Sequence, residues 1–268
     1  VSSKEKARGA EAFRDRYSRL FGDRWPALEA ALASEPDSVP FVAGEGLEPY
    51  YMDSASIFAA SCLVLPPEGR ILDACAAPGG KSLVLASRMG AKARLVANEL
   101  SADRRRRLRE ALDRHLPAAA RARVETTSRD AASMCRSFEE AFDAILLDAP
   151  CSSERHVLAD VVALAAWRPA RVRGLALRQW ALLSSALIML KEGGCLVYST
   201  CALSPEENDG VVARAAARLG KALVIDRPSH EGYADAEETE YGLSLLPDRT
   251  GGAGPIYLCR MRKEPRTA

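Results

Sequence analysis

The chain has 268 residues, 48% of them apolar, and a formal net charge of +1. That is enough apolar material for one substantial core. The near balance of charge excludes a global electrostatic field as the basis of nucleic-acid binding, so only local clusters can serve it. No apolar run approaches the roughly 18 residues of a membrane span, and no membrane partner is expected.

Residues 1–20 read as a charged amphipathic helix, with Ala10, Phe13, Tyr17 and Leu20 at helical spacing. A short helix is expected from near Pro26, since proline suits a first turn. Residues 34–52 read as irregular, and Asp53 as the cap of a helix running to about Leu65. Short apolar runs then alternate with helical patterns. The runs are 70–74, 94–98, 123–127, 142–148 and 195–199; the helical patterns are 81–89, 101–115, 169–190 and 205–219. Runs such as Ala144-Ile145-Leu146-Leu147 and Leu196-Val197-Tyr198 are apolar on both faces, as strands between helix layers must be. Two late strands are expected at 222–226 and 255–261, separated by a long loop over 229–254. Such alternation predicts a doubly wound α/β sheet, giving a helical N-terminal extension over 1–52 and a catalytic domain over 53–268.

Ligands of such sheets bind outside the carboxyl ends of the strands. The residues there read Asp73-Ala74-Cys75-Ala76-Ala77-Pro78-Gly79-Gly80-Lys81, then Asn98-Glu99, Asp130, Asp148-Ala149-Pro150-Cys151 and Ser199-Thr200-Cys201. Gly79-Gly80 between strand and helix lets backbone approach a ligand, and the helix N-terminus offers free N–H groups. Glu99 is suited to the two ribose hydroxyls of an adenosine cofactor and Asp130 to its adenine amino group. NAD would also use Glu99, but the loop lacks the spaced glycines that cradle a pyrophosphate. S-adenosylmethionine, which has no phosphate, fits better.

Cys151 and Cys201 end adjacent strands on the same edge. Ser204-Pro205-Glu206-Glu207 reads as a capping box, which predicts a helix N-terminus just after Cys201 and a dipole favouring its thiolate. A thiolate adding to C6 of cytosine makes C5 nucleophilic toward a sulfonium methyl, and Asp148 is placed to contact N3. The seven cysteines are odd in number and contain no Cys-x-x-Cys, which argues against a disulfide framework or a metal site and for a reducing compartment. A cytoplasmic location is expected, or the mitochondrial matrix if a targeting segment once preceded Val1.

The stretches ILDACAAPGGKSLVLA, ANELSADRRRRL, AILLDAPCSSERH, LRQWALLSSALIMLKEGGCLVYSTC and SPEEN resemble the Sun (Fmu-type) family of RNA cytosine-C5 methyltransferases over roughly residues 50–219. FGDRWPAL, YYMDSAS and Arg155-His156 are most similar to its mitochondrial ribosomal-RNA branch and bacterial relatives. The resemblance implies a Rossmann-like class I methyltransferase fold with a mostly parallel seven-stranded sheet. It implies Cys201 as nucleophile, Cys151 assisting product release, Asp148 and Lys81 in the catalytic set, and cofactor contacts from Cys75, Ala76, Ala77, Pro78, Gly79, Gly80, Lys81, Glu99, Arg104, Asp130 and Asp148. Three positions depart from the family pattern: Glu99 stands where aspartate is commoner, Ala202 follows the second cysteine in place of serine, and Ser153-Glu154-Arg155-His156 replaces a glycine-containing turn.

RNA, ribosomal in preference to transfer RNA, is the expected partner, with an accessory RNA-binding protein as a second and the chain itself a monomer. Arg105, Arg106 and Arg107 read as solvated surface, while Arg168, Arg171 and Arg178 share a helix face. Lys4, Lys6, Arg8, Arg14, Arg16, Arg19 and Arg24 make the extension a candidate for holding the RNA backbone. His115, His156 and His230 form no ligand set, and Trp167 and Trp180 read as core. Two alternatives stay open: a cytosine methyltransferase using Cys151 as nucleophile, and a cofactor-binding assembly protein without catalysis.

Overall fold

The computed structural model describes residues 3–229, 233 and 235–265, so His230, read as part of no ligand set, lies outside the described residues. The chain opens with α1 (Ser3–Phe21) and α2 (Trp25–Ala33), whose Pro26 sits in the first turn as expected. The region read as irregular carries a small antiparallel ribbon, β1 (Val39–Phe41) with β2 (Tyr50–Met52). Asp53 caps α3 (Ser54–Ser61), its Oδ1 accepting from the Ala55 amide at 2.8 Å, and the helix stops short of Leu65.

The alternating part follows in order. β3 (Glu68–Asp73) leads to α4 (Gly80–Arg88), β4 (Lys92–Asn98) to α5 (Ala102–His115), and a one-turn α6 (Ala118–Arg121) to β5 (Val124–Thr127). β6 (Phe142–Asp148) is followed by α7 (Glu154–Ala159), α8 (Val161–Ala166) and the long α9 (Pro169–Met189), two short helices that the sequence reading did not separate from loop. β7 (Leu190–Thr200), α10 (Asp209–Leu219), β8 (Leu223–Asp226), β9 (Glu237–Glu238), β10 (Leu243–Leu245) and β11 (Ile256–Lys263) complete the chain.

The main sheet has the order β5-β4-β3-β6-β7-β11-β10-β9, with β8 on the other half of β11. β3 to β7 are parallel, and β11 returns antiparallel to β7. Seven of the nine strands are those read from the sequence. The two extra, β9 and β10, lie in the segment read as loop: they are two and three residues long, too short for a periodic signal, with β10 held by β11 and β9 by β10. Ile145, Leu146, Leu147, Leu196, Val197 and Tyr198 are all fully buried, as strands covered by helices on both faces must be.

One correction bears on the chemistry. α10 begins at Asp209, not at Pro205, and Ser204 and Glu207 form no capping box. The Glu207 carboxylate turns inward instead and accepts from the Ser152 amide at 3.0 Å and from Gln179 at 2.7 Å. The helix N-terminus is thus displaced along the chain, although its N-cap Asn208 still bonds Thr200 and Ala202 on either side of Cys201.

α1 and α2 pack through Phe13, Tyr17, Trp25, Leu28 and Leu32 onto Val157, Trp167, Val172, Leu203 and Leu246. Gly9 permits the approach of α1 to α8, since a Cβ there would lie 2.1 Å from the Ala165 carbonyl oxygen. Arginines of the extension are engaged internally: Arg16 with Ser204 and Glu206, Arg24 with Asp248 and Glu237, Arg14 with Glu29 and Arg19 with Asp15. Among the described residues, no helix is long and apolar enough to cross a membrane.

Candidate active site

Parallel pairing fixes the site. In the β6–β7 register Asp148 stands beside Ser199, so the chain just beyond each strand end brings Cys151 and Cys201 together. Their sulfurs are 2.9 Å apart, and the Cys201 amide donates to the Cys151 sulfur at 3.3 Å. The Ser153 hydroxyl is 3.2 Å from the Cys201 sulfur and 3.5 Å from that of Cys151. Donation from Cys151 pulls the Cys201 thiol below its ordinary value; burial opposes this and Ser153 reinforces it. The same contact, followed by burial, pushes Cys151 well above its ordinary value. A low thiol on one side and a high one on the other is the asymmetry expected of a nucleophile and its hydrogen-bond donor.

Asp148 is held from two sides, accepting from Lys81 Nζ at 2.8 Å and from Ser199 Oγ at 2.8 Å. Burial works against the Lys81 charge, but Asp148 outweighs it and holds the ammonium above its ordinary value. Lys81 also donates to Ser56 Oγ at 3.3 Å.

Three cavities run along this edge. The first, about 490 Å³, is lined by Cys201, Ser153, Arg155, His156, Asp53 and Ser56, together with the end of α2 and residues 254–256. Cys151 is not part of its wall. The second, about 250 Å³, lies between Tyr50–Met52 and the loop from Cys75 to Lys81, with Asp73, Ser56 and Asp148. The third, about 320 Å³, holds Cys75, Glu99, Arg104, Asp130, Pro150 and Arg178. Ser56 is common to the first two and Cys75 to the last two, so the three are neighbours along the edge.

The loop geometry follows from its glycines. Gly79 has φ +124°, and a Cβ there would lie 3.0 Å from the Ala111 methyl; a Cβ on Gly80 would lie 3.0 Å from both Tyr50 and Met52. Glu99 is buried, accepts from the Ser101 amide at 2.9 Å and pairs with Arg104 at 3.4 Å. Arg104 also donates to the Ala77 carbonyl at 2.8 Å, tying the first strand-end loop to the second strand end. Asp130 pairs with Arg178 at 2.5 Å, which holds its carboxyl below the usual range. The helix face expected to present Arg168, Arg171 and Arg178 is thus not free: Arg178 is paired, and Arg168 donates to the carbonyls of Ala165 and Trp167. Arg105, read as surface, donates to the carbonyls of Glu99 and Leu100. His115 is buried against Tyr50 and Trp167 is core, as read, whereas His156 lines the first cavity.

Sequence reasoning missed three features. Asp73 is fully buried, with Oδ2 accepting from Ser82 at 2.6 Å and Oδ1 without a partner at the second cavity. Burial pushes its carboxyl up to about 7, against the donation from Ser82. A buried orphan carboxylate oxygen fits a cationic ligand such as the ammonium of S-adenosylmethionine. Its signal was its place at the end of the first parallel strand. Beneath the cysteines, Glu154 accepts from Tyr17, Ser152 and the Leu203 amide, while Glu207 is pushed up to about 7 by burial. Ser153 carries a left-handed backbone, which no periodicity reports.

Residues 60–262 match the sequence profile described as 16S rRNA methyltransferase RsmB/F. The chain belongs to that family. It is 37% identical over 219 residues to ribosomal RNA small subunit methyltransferase F of Klebsiella pneumoniae, covering 80% of this chain and 45% of that protein. It is 33% identical over 231 residues to the 5-cytosine rRNA methyltransferase NSUN4 of Bos taurus, covering 81% of this chain and 60% of that one. The chain thus spans about half the length of these relatives. The crystal structure of NSun6 from Pyrococcus horikoshii with SFG, an S-adenosylmethionine analogue, superimposes with a TM-score of 0.68 at 25% identity, covering 85% of this chain and 57% of that one.

Proposed function

We propose that this chain transfers a methyl group from S-adenosylmethionine to C5 of a cytosine in RNA, of the small ribosomal subunit, through a covalent bond between Cys201 and C6. The observation that carries the reading is that Cys201, and not Cys151, lines the largest of the three cavities on the strand-end edge, with the Cys151 sulfur and the Ser153 hydroxyl 2.9 Å and 3.2 Å from its own sulfur. Family membership and the names of the relatives support the substrate class.

The cofactor supplies an electrophilic methyl on a sulfonium. Its ammonium would meet Asp73, its ribose Glu99 and its adenine the surroundings of Asp130, with the 75–81 loop against its methionine half. The Cys201 thiolate adds to C6 of the inserted base, which makes C5 electron-rich toward that methyl. Negative charge develops at N3 and calls for a proton donor there, a role assigned to Asp148, which Lys81 and Ser199 orient. After transfer, removal of the C5 proton by a base restores the C5–C6 double bond and expels the Cys201 sulfur. The Cys151 thiol, 2.9 Å away, donates to that sulfur as it leaves. RNA affinity is assigned to the basic extension, where Arg8, Arg14 and Arg19 stay exposed, and to an accessory RNA-binding protein, with the chain a monomer.

The test is trapping on unmodified small-subunit ribosomal RNA with the cofactor. Cys201→Ala abolishes the denaturant-resistant protein–RNA adduct, while Cys151→Ala still forms it and accumulates it. The reverse pattern transfers the nucleophile to Cys151. Cofactor binding without transfer to any such RNA makes the chain a non-catalytic assembly protein.

A further inference from the structure

We infer that Ser153 is a positioning residue for Cys201, its hydroxyl donating to the sulfur so as to favour the thiolate and fix its direction. The backbone supplies the first observation. Ser153 has φ 53° and ψ 62°, a left-handed conformation that glycine adopts freely and other residues adopt at a cost. Its neighbours force it. Ser152 is anchored through its amide to Glu207 at 3.0 Å and through its hydroxyl to Glu154, and Glu154 accepts from the Leu203 amide at 3.0 Å. Residue 153 is pinned between two fully buried side chains, and its carbonyl starts α7 by accepting from the Val157 amide at 2.9 Å.

The side chain supplies the second. A turn that only needed this backbone would be best served by glycine. Serine there places a hydroxyl 3.2 Å from the Cys201 sulfur, at the wall of the largest cavity. Strain retained beside a reactive atom is the pattern of a functional constraint. The groups form one network: the Cys201 amide donates to the Cys151 sulfur, and the Cys201 sulfur lies within hydrogen-bond distance of both the Cys151 sulfur and the Ser153 hydroxyl.

Other groups face Cys201. Lys81 from α4 favours the thiolate, whereas Asp148 from β6 and Glu154 from α7 oppose it. Asp53, Arg155 and His156 share its cavity.

The inference rests on the proposed role of Cys201 for its purpose, but its test needs no RNA. The rate of Cys201 alkylation by iodoacetamide is followed against pH, resolved by peptide mass spectrometry, in the native chain, Ser153→Gly and Ser153→Ala. Ser153→Gly relieves the backbone and loses the hydroxyl; Ser153→Ala keeps the backbone demand and loses the hydroxyl. In both, the midpoint rises by about one pH unit, so alkylation at lower pH slows about tenfold. The melting temperature of Ser153→Gly is held or raised, separating this effect from misfolding. An unchanged midpoint in both variants overturns the inference. Failure of the underlying reading looks different: a protein–RNA adduct that survives Cys201→Ala.

Discussion

The glycine-loop cavities and the cysteine cavity share one sheet edge, yet they are assembled in opposite ways. The former are built around the residues after β3, β4 and β5, with Tyr50–Met52, Asp148 and Arg178 added from elsewhere, and their charges are paired: Glu99 with nearby Arg104, Asp130 with Arg178 and Lys81 with Asp148 across 48 and 67 residues. One buried polar atom there, Asp73 Oδ1, is left without a protein partner. The cysteine cavity draws its walls from four distant segments, at 32–36, 53–56, 153–159 and 254–256 around Cys201. Its supporting acids, Glu154 and Glu207, point into the protein and accept from Ser152, Leu203 and Gln179. The difference matches the proposed division, in which one region receives a charged small molecule and the other holds a reactive sulfur steady.

The sharpest way to break this division is Cys201→Ala. Methyl transfer is expected to fall at least ~10³-fold with cofactor affinity kept, as measured by single-turnover transfer and calorimetry. A parallel loss of cofactor affinity would merge the two regions. Asp148 stands at their junction. Asp148→Asn removes the charge that holds Lys81 and is expected to lower turnover by ~10²–10⁴-fold, with cofactor affinity the lesser change.

Asp73→Asn should act the other way, weakening cofactor binding by about tenfold while Cys201 alkylation is unaltered. The native chain supplies a companion measurement. Burial sets the Asp73 carboxyl at about 7 in the free protein, and a bound ammonium favours its charged form. Cofactor affinity is therefore flat above pH 7 and falls below it, by up to about tenfold per pH unit, because binding must then expel a proton. Glu207 titrates in the same window but beneath the cysteines, so Asp73→Asn should flatten the profile. A profile that survives this substitution would assign the titration elsewhere.

The smallest effect is expected at Arg155, which donates to the Gly252 carbonyl at 3.0 Å and to the Ser34 carbonyl at 3.4 Å and so ties two walls of the cysteine cavity. Arg155→Ala should weaken RNA binding by about threefold to tenfold and leave the cofactor untouched.

The cofactor half was legible because parallel sheets put ligand-facing residues immediately after strands, where chain order alone reveals them. Glu99, Asp130 and the 75–81 loop were found that way, and Asp73 only needed its burial to be known. The cysteine half was legible in its two sulfurs but not in what surrounds them. The capping box at Ser204 failed because Glu207 meets Ser152 and Gln179, residues that local spacing cannot see. The internal pairs of the extension were invisible for the same reason: Arg16 and Arg24 meet acids about two hundred residues away in sequence.

By itself, then, the sequence determined the strand order's raw material, the family, and which side chains reach the strand ends, since these depend on periodicity and on local turns. Tertiary structure alone decided which sulfur faces the cavity, which acid lacks a partner and which arginines are already engaged. Those outcomes depend on contacts between segments far apart in the chain, whose formation is set by packing and desolvation rather than by any local pattern.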